Sequence, residues 1–331
     1  MHHLLKPHLV TLINCVCHCR RSIAVLALVL SLVCLVVMPA HAQTLALPKD
    51  IKRNADDVLA LLAFAAVPDL TASFLSIDDT RVGDNRLSMT QFAGGETISK
   101  NYPVYLEGSA AFMRFDPTFV ATLGQEQREL PARWNSVALT GGIGWDFEIA
   151  PNLVLRPIFN FSLGHVESDL SLIGRLADLK RDVSVDFLEN GRLNAYGLGG
   201  SLMLDYTLVK PEYEIDLELR YTSIELKTFD SSTVVSGSAS AQAVSLYSRY
   251  RAPTGLTVMD RPLRYVLELA NTTYVGDQRG LLGFNYLTSV GAGIEFDSSD
   301  KLSWLSRTRL VARYAFGENV RGFALGLAVT F

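Results

Sequence analysis

Residues 213–221 read Tyr-Glu-Ile-Asp-Leu-Glu-Leu-Arg-Tyr, and this alternation constrains the fold more than any other feature of the chain. A strand turns successive side chains to opposite faces. Tyr213, Ile215, Leu217, Leu219 and Tyr221 therefore share one face, and Glu214, Asp216, Glu218 and Arg220 share the other. The two tyrosines bracket the apolar face and lie about 26 Å apart on an extended strand.

The same pattern recurs along the chain. Tyr196, Leu198, Gly200, Leu202, Leu204 and Tyr206 form one apolar face, and Val137, Leu139, Gly141, Ile143, Trp145 and Phe147 form another. Leu153, Leu155, Pro157, Phe159, Phe161 and Leu163 repeat it, as do Phe284, Tyr286, Val290, Ile294 and Phe296. About twelve such segments are expected, near 71–78, 86–93, 103–115, 135–149, 153–166, 193–209, 213–228, 240–251, 262–275, 282–297, 302–316 and 322–331. The first two are short, so counts of ten and fourteen stay open.

Strands of a soluble sandwich run to five or six residues on average. These run from ten to sixteen in the clear cases, and it is their polar face that carries the charge. An apolar band of about 25 Å flanked by aromatics is the outer surface of a membrane barrel, and such a sheet must close because lipid satisfies no open edge. The fold class expected is all-β, a closed antiparallel transmembrane β-barrel. The connections agree. Pro151-Asn152 and Lys210-Pro211-Glu212 are tight, whereas 116–134 and 167–192 are long, and short turns should alternate with long loops around such a barrel.

The ends of the chain fit an exported barrel. Lys6, Arg20 and Arg21 precede the apolar run Ile23–Met38, and Ala40-His41-Ala42 offers a small-residue cleavage site, so residues 1–42 read as a signal peptide cut after Ala42. All four cysteines fall inside that segment. The remaining 289 residues would hold 27 basic and 34 acidic side chains, a net charge of −7 that argues against a nucleic-acid partner. Residues 43–70 form an N-terminal extension with one helix over 49–67. Ile51, Ala55, Leu59, Leu62 and Ala66 share a face of it, and Pro68 stops it. Residues 71–331 form the barrel.

The charged face should line the lumen. It collects Arg156, Asp205, Glu214, Asp216, Glu218, Arg220, Arg249, Arg264, Glu268, Glu295, Arg307, Arg309 and Arg313. One reading is a network of ion pairs that fills and stiffens the interior, since buried charge must be paired. The other is a conducting lumen, a small open channel with an acidic row on the 213–228 segment and a basic row on the 302–316 segment.

Chemistry is poorly supported. After the signal segment the chain has one histidine, His165. A Ser-His-acid hydrolase of lipid or lipid A can be drawn with Ser162 or Ser168 and Glu167, but a strand puts His165 and Glu167 on one face and both serines on the other. No metal-ligand spacing, phosphate loop or nucleophile elbow occurs, so no cofactor is expected.

A helix leading into about twelve strands, ending in "GLAVTF", resembles the translocator domain of autotransporters, and more closely solitary outer-membrane barrels of that type. The resemblance covers residues 49–331. It implies a helix in the pore, although only Gln43–Pro48 stand ahead of it in place of a passenger, and the apolar run Val58–Val67 calls for a hydrophobic lining or the periplasmic rim. It implies residence in the Gram-negative outer membrane, with membrane lipid and lipopolysaccharide around the barrel. It also implies handling by periplasmic chaperones and the barrel-assembly machinery, with Phe323, Leu325, Leu327, Val329 and Phe331 as the C-terminal assembly signal.

Overall fold

The computed structural model describes residues 55–68, 74–79, 86–116, 118–123, 126–131, 134–168, 192–229, 237–258, 261–297 and 307–330. The signal peptide, residues 49–54 of the expected helix, Phe331 and the 169–191 connection lie outside the described residues.

Among the described residues, fifteen strands follow one helix, α1 (Ala55–Ala66). They are β1 (Phe74–Asp79), β2 (Arg86–Thr97), β3 (Val104–Asp116), β4 (Thr118–Leu123), β5 (Glu126–Pro131), β6 (Trp134–Trp145), β7 (Phe147–Ala150), β8 (Leu153–Ser168), β9 (Arg192–Val209), β10 (Glu214–Phe229), β11 (Ser238–Val258), β12 (Arg261–Tyr274), β13 (Tyr286–Asp297), β14 (Arg307–Gly317) and β15 (Val320–Thr330). Thirteen of them form one antiparallel sheet that returns on itself, with β15 on β1 and β6 on β8. β6 and β7 flank Asp146 and both pair with β8, so they share one place in the wall. The result is a closed barrel of twelve wall positions among the described residues. The expected count stands.

The alternation holds where it was read. On β6, Val137, Leu139 and Ile143 are exposed while Ser136, Ala138 and Thr140 are buried. Phe159, Phe161 and Leu163 on β8 and Phe323, Leu325 and Leu327 on β15 continue the apolar exterior. Aromatic rings cluster at both rims. Tyr250 stacks on Tyr213 at a ring-centroid distance of 5.9 Å and meets Tyr265 tilted at 6.0 Å, and Tyr314 packs on Phe323 at 5.3 Å.

Connections sort into two ends. The Asn152 end carries the turns after β2, β7, β9, β11 and β13; Asn152 itself adopts a left-handed φ of 65°, which a short polar side chain tolerates. The opposite, Glu318 end carries the remaining connections. Three details differ from expectation. Residues 118–131, read as loop, form the hairpin β4–β5, which prolongs the β3–β6 pair. Glu318-Asn319 turns tightly at the end that otherwise has the longer loops. Phe284, placed on the outer face by its spacing from Tyr286, is 2% exposed. β13 begins only at Tyr286, and the preceding loop folds inward, burying Leu281, Leu282 and Phe284.

Candidate functional site: the barrel interior

The interior is divided by height. Toward the Glu318 end the inward side chains are apolar, among them Met113, Trp134, Leu193, Ile224 and Leu226. The helix lies in this half. Every residue from Val58 to Pro68 is buried, and α1 packs on β3, β6, β8, β9, β10 and β11. A helix with one wet side would keep a polar face; here the single-face expectation gives way to burial all round, because the wall surrounds it. Of the two settings proposed for its apolar run, a hydrophobic lining is the one observed. The backbone N–H of Ser238 donates to Asp56 Oδ1 at 2.7 Å at the Glu318 end. Thr140 Oγ1 donates to Ala66 O at 2.8 Å, and Gln91 Nε2 to Val67 O at 3.2 Å, which satisfies carbonyls that the last helical turn leaves free. Phe64 packs on Tyr274 and Phe284 at 4.8 and 6.0 Å, so the inward loop covers the helix. The described helix has 12 residues, about 18 Å at 1.5 Å per residue, shorter than a 49–67 helix.

Toward the Asn152 end the interior is ionic. Arg220 on β10 crosses to Glu107 on β3 with hydrogen bonds of 2.6 and 2.8 Å. Asn160, Ser201 and Thr222 complete the cluster: Asn160 donates to Glu107 at 2.7 Å, and Arg220 donates to Ser201 and Thr222 at 2.8 and 3.0 Å. Gly142 on β6 makes room, since a Cβ there would lie within 2.6 Å of both Glu107 and Asn160 side chains. Arg156 forms a second cluster with Asp146, with Asp205 at 3.2 Å, and over the Tyr105 ring at 3.9 Å.

The largest cluster spans β10 to β14. Glu214 meets Arg251 at 2.7 Å, Arg307 at 3.1 Å, and Arg264. Asp216 meets Arg249 at 2.9 Å and Arg251 at 3.1 Å. Glu295 takes Arg251 at 3.3 Å, and Glu268 takes Arg313 at 2.7 Å and the Tyr247 hydroxyl at 2.7 Å. Glu214 of β10 thus touches Arg307 of β14 across the interior, whereas Arg309 and Arg313 of β14 pair with Glu268 on β12 and Glu295 on β13.

Twelve of the thirteen candidate lumen residues belong to these clusters; Glu218 stands opposite Asp205 and Tyr247 in register and joins no ion pair among the described residues. Sequence reasoning missed Glu107, Asp146 and Arg251. Each lay within reach of the same rule, because Arg251 is two residues beyond Arg249 and Asp146 keeps the inward parity of Gly142 and Gly144.

The hydrolytic set drawn with Ser162 is not assembled, and the side chain of Ser168 lies outside the described residues. Ser162 is 1% exposed and shares a hydrogen bond with Thr140 of 2.7 Å in the interior, whereas His165 is half-buried on the opposite face of β8 with Nδ1 2.7 Å from Asn194 Oδ1. Of the C-terminal residues, Phe323, Leu325 and Leu327 face outward.

No protein-family model matches the sequence, and no curated protein matches it. Solved structures do. The barrel is similar to the β domain of the Bordetella autotransporter BrkA (TM-score 0.43, 12% identity, covering 78% of this chain and 96% of that one). It is similar to the transport unit of the autotransporter AIDA-I from Escherichia coli (TM-score 0.43, 13% identity, 84% and 99% covered). The translocator domain of autotransporter NalP from Neisseria meningitidis also matches (TM-score 0.40, 12% identity, 78% and 86% covered).

Proposed function

We propose that the protein is an integral barrel of the Gram-negative outer membrane, of translocator type, whose interior is closed in two layers. The helix fills the Glu318 half and the ion pairs fill the Asn152 half. The observation that carries this reading is the complete burial of Val58–Pro68 inside a wall that is apolar outside. Lipid is the solvent such an exterior needs. A porin, by contrast, keeps a wet interior, and Glu214 reaching Arg307 across the interior at 3.1 Å leaves little space for one. In this role the barrel blocks diffusion at rest, and passage of any cargo requires the helix to leave.

A cysteine pair tests the helix placement. A Cβ at Gly164 on β8 would come within 3.0 Å of Leu62 Cγ, so Leu62→Cys with Gly164→Cys should form a disulfide in the assembled protein. The chain that follows Ala42 has no other cysteine to compete. A faster-migrating band on non-reducing gels, absent from each single variant, is the expected result. Failure of the pair to cross-link under oxidant in the folded barrel would remove the helix from the interior.

A further inference from the structure

Strand β11 outruns its neighbour at the Glu318 end. Its pairing with β12 starts at Ala243 and Tyr274, so residues 238–242 keep β10 on one side and no strand on the other among the described residues. The backbone N–H groups along that edge are nevertheless used. Ser238 donates to Asp56 Oδ1 of α1, Ser240 to Asp277 Oδ2 at 2.7 Å, and Gln242 to Gln278 Oε1 at 3.2 Å. One strand edge therefore holds both the helix and the loop between β12 and β13.

Side chains pin that loop on two sides. Gln278 is fully buried, and its Nε2 donates back to Gln242 O at 3.2 Å, while Asp277 N–H donates to Ser240 O at 2.8 Å. Across the barrel mouth, Asn285 Nδ2 donates to Glu318 Oε2 at 2.9 Å and Asn319 Nδ2 to Gly283 O at 3.1 Å, which ties the loop to the β14–β15 turn. Gly280 and Gly283 take left-handed φ of 72° and 83°, which glycine adopts without a Cβ penalty, and Leu281, Leu282 and Phe284 turn inward beside them. These three join Phe64 of the helix in one apolar core. α1 packs chiefly on β3, β6 and β8 to β11, and the loop spans from β11 to the β14–β15 turn, so the two fill this half together. The ways out for the helix are unequal. Toward the Asn152 end stand the ion pairs that cross the interior. Toward the Glu318 end the loop covers it, with Phe284 on Phe64.

We propose that the β12–β13 loop, residues 275–285, is the lock on the helix: the loop swings out first, and α1 leaves the barrel only after it. The lock rests on the reading of the barrel as plugged by α1, and it places control of release at the Glu318 end.

Hydrogen exchange of the full chain in detergent, followed by mass spectrometry, reads loop and helix at once. Loop amides should exchange at least as fast as those of α1, because every opening that frees the helix first opens the loop. Gln278→Ala removes both amide bonds to Gln242 and should quicken exchange in the loop and in α1 together, by about tenfold or more, with β8 and β9 unchanged. A clamp gives the converse without removing a helix contact. Asn285→Cys with Glu318→Cys, bridged by a short bismaleimide, should slow exchange in α1 by about tenfold relative to the same protein unbridged. A helix that is protected yet exchanges faster than the loop would overturn the lock alone, as would α1 rates unmoved by the bridge or by the variant. Should Gln278→Ala fail to fold, the bridged and unbridged pair decide. A helix exchanging in the wild type as fast as an unfolded peptide would instead remove α1 from the interior, and the lock with it.

Discussion

Glu107 and Arg220 meet across the barrel as a two-pronged ion pair of 2.6 and 2.8 Å, although three wall strands, β6, β8 and β9, stand between β3 and β10. Both side chains are deeply buried, at 2% and 6% exposure. Such a pair adds modest net stability but punishes the loss of one member, because the other is left charged and alone. Arg220→Ala should therefore cost about 3–5 kcal/mol, and Glu107→Ala with Arg220→Ala clearly less than the sum of the two single changes. Urea unfolding followed by the gel shift between folded and heated barrel measures all three.

The outer face responds to charge in the opposite way. Leu202 on β9 is 50% exposed at mid-strand among other apolar side chains. Leu202→Arg should destabilise the lipid-embedded barrel by about 2–4 kcal/mol, the cost of a cation near the bilayer midplane. Its neighbour Met203 is buried, so Met203→Arg should fail through crowding and remain defective even in detergent, where Leu202→Arg recovers.

Much of this was legible in the sequence because a strand encodes its two environments residue by residue. Val137, Phe159 and Leu202 could be placed outside, and Glu214 and Arg313 inside, from parity alone. Parity fails where a strand stops. Phe284 keeps the spacing of β13 but precedes it, and its ring turns inward onto Phe64. The pairing of Glu107 with Arg220 was equally hidden, since contact across a barrel depends on curvature and shear rather than on sequence separation. The helix was recognisable from its apolar run and Pro68, whereas its burial on every side reflects the apolar wall of the Glu318 half, a property of six separate strands packed around it.

Packing of the helix on that wall gives a third expectation. Leu62 is fully buried and Phe64 sits between Tyr274 and Phe284. Leu62→Ala and Phe64→Ala should each cost about 2–5 kcal/mol of helix docking. Protease cleavage between residues 43 and 67 should quicken accordingly, with the barrel's own gel shift intact. Unchanged cleavage would mean that the helix is held by something else.

Orientation follows from the two ends. With the Asn152 end in the periplasm, a cysteine at Asn152 should resist an impermeant thiol reagent on whole cells, whereas cysteines within 169–191 should react. Reversed labelling would invert the barrel and, with it, the side from which the helix half is reached.

Single-channel recording in planar bilayers tests the two-layer closure most directly. Obstructions in series add their resistances, so the remaining layer governs current when one is removed. The intact protein should conduct poorly, and deletion of residues 43–67 alone should raise conductance only modestly, because Arg220–Glu107 and Glu214–Arg307 still span the lower interior. Adding Glu107→Ala and Arg220→Ala to the deletion should raise it further, by roughly tenfold over the intact protein. Strong, steady conductance in the intact protein would contradict the account.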